Sequence, residues 1–304
     1  MKVSRRALLK AAAVGGAAVA AGAVAERAEA RERKTVGPDD VGMLCDSTRC
    51  VGCRACVTRC KEANGLPPDA KGGMYDAPVA LSGTTKNIIQ VADLGAGRSA
   101  FVKSQCMHCV DPSCVSVCMA GALHREAGGI VAYDKATCVG CRYCQVACAF
   151  DIPKFEWDKA LPKIVKCELC RHRGDARVDG PLAIANPACA EVCPRGAVVY
   201  GKRSELVELA RARVADDPAA YNPRIYGLTD GGGTHVLYLA ARGVEFEALG
   251  LPRLPEEPLP EMGEHIQHGI YKWFAAPTVL YGALAYAIVR NRKKAHEHDE
   301  EEHK

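Results

Sequence analysis

Surplus positive charge is nearly missing from this chain of 304 residues: the net charge is +4, and residues 1–30 hold five Lys/Arg against two Glu, so only +1 is left for everything that follows. A nucleic-acid surface needs a basic face, and this balance excludes one. Phosphate-binding patterns are missing too. Gly231, Gly232 and Gly233 stand together, but neither G-x-G-x-x-G nor G-K-S/T follows, and a turn into a strand over residues 236–239 is the better account. No Ser/His/Asp set or paired carboxylates occur in a local pattern that would activate a substrate, which predicts a chain that is not itself an enzyme. The 48% hydrophobic content is ordinary for a folded protein, and the length suits two small domains with extensions.

What the chain does have is cysteine. Sixteen of its 17 cysteines fall into four successive quartets. Cys50, Cys53, Cys56 and Cys60 follow the C-x2-C-x2-C-x3-C rhythm of bacterial ferredoxins, and Cys138, Cys141, Cys144 and Cys148 repeat it unchanged. Cys106, Cys109, Cys114 and Cys118 widen the second gap, and Cys167, Cys170, Cys189 and Cys193 carry a long insertion between their second and third members. Two-residue gaps let one short loop turn three thiolates onto three corners of an iron-sulfur cube, while the fourth cysteine, on the next helical turn, points away. In two-cluster ferredoxins that fourth residue ligates the other cube, so quartets work in couples. Four quartets therefore predict four 4Fe-4S clusters in two ferredoxin-like modules of α+β class, a molecular wire. Cys45 is left over and reads as a small buried hydrophobe more than a ligand.

Two other readings of the cysteines stay open. Zinc favours paired C-x2-C knuckles across a longer gap, and the last quartet alone fits that pattern. A disulfide framework would suit an exported chain, though one of under about 100 residues. His108 and His172 adjoin cysteines and can replace them on iron, but with every quartet complete, packing or tuning is expected of them.

The two ends address the chain to a membrane. Ser4, Arg5, Arg6, Ala7, Leu8, Leu9 and Lys10 lead into a small-residue apolar run over residues 11–25, a twin-arginine export signal over residues 1–30 with cleavage after Ala30 or Ala25. Such export passes folded chains, which suits clusters built in a reducing cytoplasm. Residues 273–289 carry no charge and are just long enough to span a bilayer; Arg290, Arg292, Lys293 and Lys294 follow, which fixes the C-terminus in the cytoplasm and the cluster domains outside. A buried or interfacial helix is the alternative. His265 and His268, just before this run, are candidates for contact with a haem or quinone partner. Strands are expected near residues 87–92, 130–133 and 197–200, a surface helix over 205–215, and an extended Pro/Glu-rich linker over 250–262.

These features together resemble the HybA-type ferredoxin-like subunits of membrane-bound uptake nickel-iron hydrogenases, within the wider group of four-cluster electron-transfer subunits. The resemblance rests on the leader, on Gly42-Met43-Leu44 and Asp46-Ser47-Thr48 running into Cys50-Val51-Gly52-Cys53, and on Gln105-Cys106-Met107-His108-Cys109-Val110-Asp111-Pro112. Cys141-Arg142-Tyr143-Cys144, Lys166-Cys167-Glu168-Leu169-Cys170, Gly231-Gly232-Gly233-Thr234 and Ile266-Gln267-His268 extend it. It implies nested couples: Cys50, Cys53, Cys56 and Cys193 on one cube; Cys167, Cys170, Cys189 and Cys60 on its neighbour; Cys106, Cys109, Cys114 and Cys148 on a third; Cys138, Cys141, Cys144 and Cys118 on the fourth. Relatives with Trp in the third quartet hold a three-iron cluster, so an intact Cys141 favours four cubes. One module, residues 31–100 with 165–205, would enclose the other, 101–164; an extension and linker over 206–267, a single transmembrane helix over 268–290 and a cytoplasmic charged tail over 291–304 would complete the chain. The implied partners are the nickel-iron hydrogenase small and large subunits and a polytopic quinone-binding membrane subunit of HybB or NrfD type, at the periplasmic side of the inner membrane. The implied alternative is the same relay for a molybdopterin oxidoreductase acting on formate, polysulfide or an oxyanion. Proline, usual after a quartet's last cysteine, survives only at Pro194; at Met119 and Ala149 a local backbone adjustment is expected.

Overall fold

The computed structural model describes residues 33–69, 80–173, 186–260 and 280–290. The expected signal peptide, the charged tail, His265, His268 and the first half of the expected anchor lie outside them. Arg33–Pro260 gathers into one compact unit. In the other unit the described residues, 280–290, are helical and present Leu280, Tyr281, Leu284, Tyr286, Ile288 and Val289 as exposed side chains. Among the described residues no helix is long and apolar enough to cross a membrane.

In chain order the compact unit runs β1 (Val41–Asp46), α1 (Ala55–Ala63), β2 (Ile88–Asp93), β3 (Ser99–Ser104), α2 (Ser113–Ser116), β4 (Leu123–Arg125), β5 (Val131–Tyr133), α3 (Tyr143–Val146), β6 (Lys154–Phe155), β7 (Ile164–Val165), α4 (Ala188–Glu191), β8 (Val198–Lys202), α5 (Arg203–Asp216) and β9 (Val236–Leu239). β1 is the middle of a three-stranded sheet, antiparallel to β8 with Met43 opposite Tyr200, and parallel to β9 with Leu44 opposite Leu237. The remaining strands form three hairpins, β2 with β3, β4 with β5 and β6 with β7.

The period-two alternation of strands makes the central sheet a partition. Leu44, Leu237 and Leu239 face Leu206, Val207 and Ala210 of α5, with Tyr221 and Ile225. Met43, Cys45, Val198, Val236 and Tyr238 face the other way, into a core shared with Cys56, Cys106, Cys167 and Cys189. Cys45 is 3% exposed, an ordinary member of the inward face, opposite Val198 and Tyr238. A separate small core, Ala122, Leu123, Tyr133, Cys144, Phe155 and Ile164, lies under the last two hairpins.

Two polar networks lock the partition. Asp46, 1% exposed at the end of β1, accepts from Arg213 Nη1 at 2.8 Å, from the Tyr221 hydroxyl at 3.0 Å and from the Thr48 hydroxyl at 2.6 Å. Asp40 meets Arg125 Nη2 at 2.6 Å and His235 Nε2 at 3.0 Å, which ties the strand entrance to β4 and β9. Residues 250–260 are more than a linker: the Tyr226 hydroxyl donates to Pro252 O at 2.6 Å and Gly231 N–H to Pro255 O at 2.6 Å. Proline carbonyls keep their acceptor capacity, so a Pro-rich segment can dock by its backbone oxygens.

β1 and the residue before β9 approach so closely that a Cβ at Gly42 would stand 2.3 Å from the His235 carbonyl oxygen, whose position is fixed by its bond from Met43 N–H at 2.8 Å. Gly42→Ala is therefore expected to destabilise the fold by about 1–3 kcal/mol, the usual cost of overpacking. Thermal denaturation against the parent chain measures it.

Candidate cluster sites

All 17 cysteines are among the described residues, and none is paired in a disulfide. Their four loops share one backbone device. In the first two-residue gap of each quartet, the residue before the second cysteine is left-handed: Gly52 at φ 70°, His108 at 46°, Gly140 at 75° and Leu169 at 49°. Glycine adopts this freely, whereas for an ordinary residue it costs about 1–2 kcal/mol. His108 and Leu169 are held there by complete burial, both 0% exposed. The turn aims backbone N–H groups at sulfur. Leu169 N–H donates to Cys167 Sγ at 3.4 Å. Burial pushes the Cys50 thiol up, and the Gly52 N–H works against it.

The third cysteine of every quartet, Cys56, Cys114, Cys144 and Cys189, is the second residue of a helix. After α2, α3 and α4 the chain makes the same turn, leaving Cys118, Cys148 and Cys193 just past the helix; α1 instead continues through Cys60. The turn is reproduced at Met119 and Ala149 without proline, so the adjustment expected there is not seen. The same bond closes all three turns, onto the cysteine's own carbonyl: Gly121 N–H donates to Cys118 O, Asp151 N–H to Cys148 O and Gly196 N–H to Cys193 O.

Space regroups the cysteines. α1 packs on α4, and α2 on α3. Cys50, Cys53, Cys56 and Cys193 line one small cavity, and Cys118, Cys138, Cys141 and Cys144 line another. Between them the Cys60 thiol is raised by burial and by the nearby Cys189 and Cys170, and Cys167 by burial, Cys189 and Cys60. Cys109 is raised by burial, Cys148, Cys106 and Cys114. The charge of one set reaches the next in one order: Cys56 feels Cys189, Cys167 feels Cys106, and Cys114 feels Cys144. We number the sites first to fourth along that line. Cys53 in the first and Cys141 in the fourth are exposed. Exposed Met119 and Val139 line the fourth, and Tyr143 and Val146 of α3 are exposed as well.

These thiols fit iron-sulfur cubes. Burial and mutual repulsion push Cys56 and Cys144 up to about 11, so a full set of thiolates needs cations among them. A zinc site made of the last quartet would need Cys193 beside Cys167, Cys170 and Cys189, but Cys193 lies with Cys50, Cys53 and Cys56. Among the described residues no three Cys, His, Asp or Glu are close enough to hold a single metal ion. A cube spreads its thiolates over separate irons and suits the wider sets found here.

Three polar groups that the sequence did not single out, or only in part, stand beside these sets. His108 Nδ1 accepts from Val131 N–H at 3.0 Å, which leaves its hydrogen on Nε2, buried and without a partner among the described residues. Lys166, 3% exposed, donates to Val131 O and, at 3.1 Å, to Cys167 O. Lys103, also 3% exposed, finds no hydrogen-bond partner for Nζ among the described residues. In the strand Ser99–Ser104 it looks like a solvated residue, and no signal in the sequence pointed to it. His172 is at the surface, its Nε2 2.9 Å from Ala63 O.

Comparison with known proteins places these loops. Residues 98–203 match the model of a 4Fe-4S dicluster domain. The chain is 39% identical to the hydrogenase-2 operon protein HybA of Escherichia coli O157:H7 over 99% of both chains. It is 32% identical to the iron-sulfur subunit of the nitrate-inducible formate dehydrogenase of Escherichia coli K12, over 87% of this chain and 90% of the other. With the formate dehydrogenase-O iron-sulfur subunit of the same strain it shares 35% identity over 72% of this chain and 73% of the other.

Proposed function

The chain belongs to the HybA-like family of 4Fe-4S electron-transfer subunits, and from that premise we propose that it relays electrons through four 4Fe-4S clusters from a periplasmic nickel-iron hydrogenase catalytic pair to a quinone-reactive integral membrane subunit. The observation that carries this reading is the succession of four cysteine sets, of which only the first and fourth hold an exposed cysteine.

A bound cube supplies one-electron redox chemistry, within about −700 to +450 mV according to its surroundings. The chain's own residues hold and insulate. Cys50, Cys53, Cys56 and Cys193 would hold the first cluster, and Cys60, Cys167, Cys170 and Cys189 the second. Cys106, Cys109, Cys114 and Cys148 would hold the third, and Cys118, Cys138, Cys141 and Cys144 the fourth. The inward face of the central sheet, Met43, Val236 and Tyr238, keeps water from the middle sites. The exposed first and fourth sites are the points of entry and exit, where the hydrogenase small subunit and the polytopic membrane subunit of HybB or NrfD type would dock. Twin-arginine export and a single C-terminal span over residues 268–290, C-terminus in the cytoplasm, would keep the relay at the periplasmic face of the inner membrane. The exposed apolar side chains of the helical stretch 280–290 support that anchor.

The likeness to two formate dehydrogenase subunits supports a second reading, the same relay serving a molybdopterin oxidoreductase. Gentle solubilisation of membranes, capture by a C-terminal tag and mass spectrometry separates the two. The expected result is co-purification of a nickel-iron large and small subunit with a polytopic membrane protein. A molybdopterin subunit in their place overturns the hydrogenase assignment and keeps the relay.

A further inference from the structure

Lys103 is a cation that the local structure leaves without an acceptor. β3 pairs with β2 so that Lys103 stands opposite Ile89, and strand alternation sets it on the same face as Phe101. The Phe101 ring lies flush on the first cysteine loop: a Cβ at Gly52 would stand 2.4 Å from it. The same face of β3 therefore carries Lys103 in among the first and second sites. The Tyr238 hydroxyl donates to Lys103 O at 2.5 Å and fixes the strand there. The ammonium is buried, with no oxygen or sulfur in hydrogen-bond reach among the described residues. Lys166, equally buried, has two carbonyls for the same need. An ammonium without such partners is costly to bury unless opposite charge surrounds it. Around Lys103 that charge is sulfur. Burial works against its charge, and Cys189, Cys56, Cys45 and Cys60 outweigh that, raising it above the ordinary lysine range. The effect is local: Lys103 acts on Cys56 and Cys50 of the first site and on Cys60, Cys167 and Cys189 of the second. It is not among the strongest influences on Cys109, Cys114 or Cys144.

We propose that Lys103 is a positioning residue for electrons, a permanent positive charge between the first and second cluster sites that raises the reduction potential of both and leaves the third and fourth unmoved. Reduction adds one negative charge to a cluster, so a fixed cation nearby favours the reduced form by Coulomb attraction, undiluted by water in a buried site. The inference rests on the four-cluster reading above.

The test is a potentiometric titration of the intact complex followed by electron paramagnetic resonance, comparing the parent with K103M, which keeps the side chain's length and removes its charge, and with K103R, which keeps the charge. In K103M two of the four midpoint potentials are expected to fall by at least about 59 mV, a tenfold change in the one-electron ratio, while the other two hold. K103R is expected to stay near the parent. Four unmoved potentials in K103M, four equal shifts, or a K103R that shifts as K103M does would overturn the proposal. If K103M loses iron, K103Q is read in the same way, and a K103R that also loses iron counts against a role through charge. Failure of the underlying reading looks different: the parent complex itself would lack four cluster signals.

Discussion

Changing Cys193 to Ala is expected to remove one cube and leave three, lowering bound iron and acid-labile sulfide by about a quarter if each of four sites holds a four-iron cluster. The informative part is which cube goes. By sequence Cys193 belongs with Cys167, Cys170 and Cys189, but in space it lines the cavity of Cys50, Cys53 and Cys56. The paramagnetic signal lost from C193A should therefore be the one lost from C50A, and C167A should lose another. Matching losses in C193A and C167A would mean that the last quartet binds as a unit, against the nested pairing. C60A gives the reciprocal case, since Cys60 stands with Cys170 and Cys189.

A second large effect is expected away from any thiol. Replacing Arg213 by Met strips the principal counter-charge from Asp46, whose side chain has 0% exposure. Removing one partner of a buried ion pair costs about 3–5 kcal/mol because the remaining charge stays buried. For a unit of this size each kcal/mol lowers the melting temperature by roughly 2–4 °C. The damage has a direction as well. Asp46 O accepts from Cys50 N–H at 3.2 Å, so the same residue sets the entrance of the first loop. Heating followed by visible cluster absorbance should show R213M bleaching well below the parent, with R213K in between. A midpoint equal to the parent's would show that Tyr221, Thr48 and Arg49, whose Nε lies 3.6 Å from Asp46 Oδ2, suffice to hold Asp46.

The cysteine spacing was legible because three of the loops are local: three ligands fall within seven residues in the first and third quartets and within nine in the second, and a helix begins one residue before the third ligand. The strand at 236–239 and the helix at 205–215 were legible through apolar pattern, and they appear as β9 and as α5, Arg203–Asp216. What stayed hidden depends on distant partners. Lys103 reads as a solvated strand residue until α4 brings Cys189 beside it. Asp46 and Arg213 are 167 residues apart, and neither shows a local sign of the other. The Pro/Glu-rich stretch after residue 250 looked like a spacer because composition does not say where backbone carbonyls will find Tyr226 and Gly231. The left-handed His108 and Leu169 were masked in the same way, since only the two glycines of the four equivalent positions announce the conformation.

The exchange of cysteines between distant helices also sets a timetable. A ribosome delivers residues in numerical order, and the third and fourth sites have all eight of their thiols once Cys148 has emerged. The first site, begun at Cys50, waits for Cys193, and the second waits for the same stretch of chain. On this pairing the newborn protein carries Cys50, Cys53 and Cys56 without their fourth partner until Cys193 is made, while the inserted pair already has its thiols. The thiols are thus complete first for the inserted pair and last for the pair that ties residues 50–60 to residues 167–193.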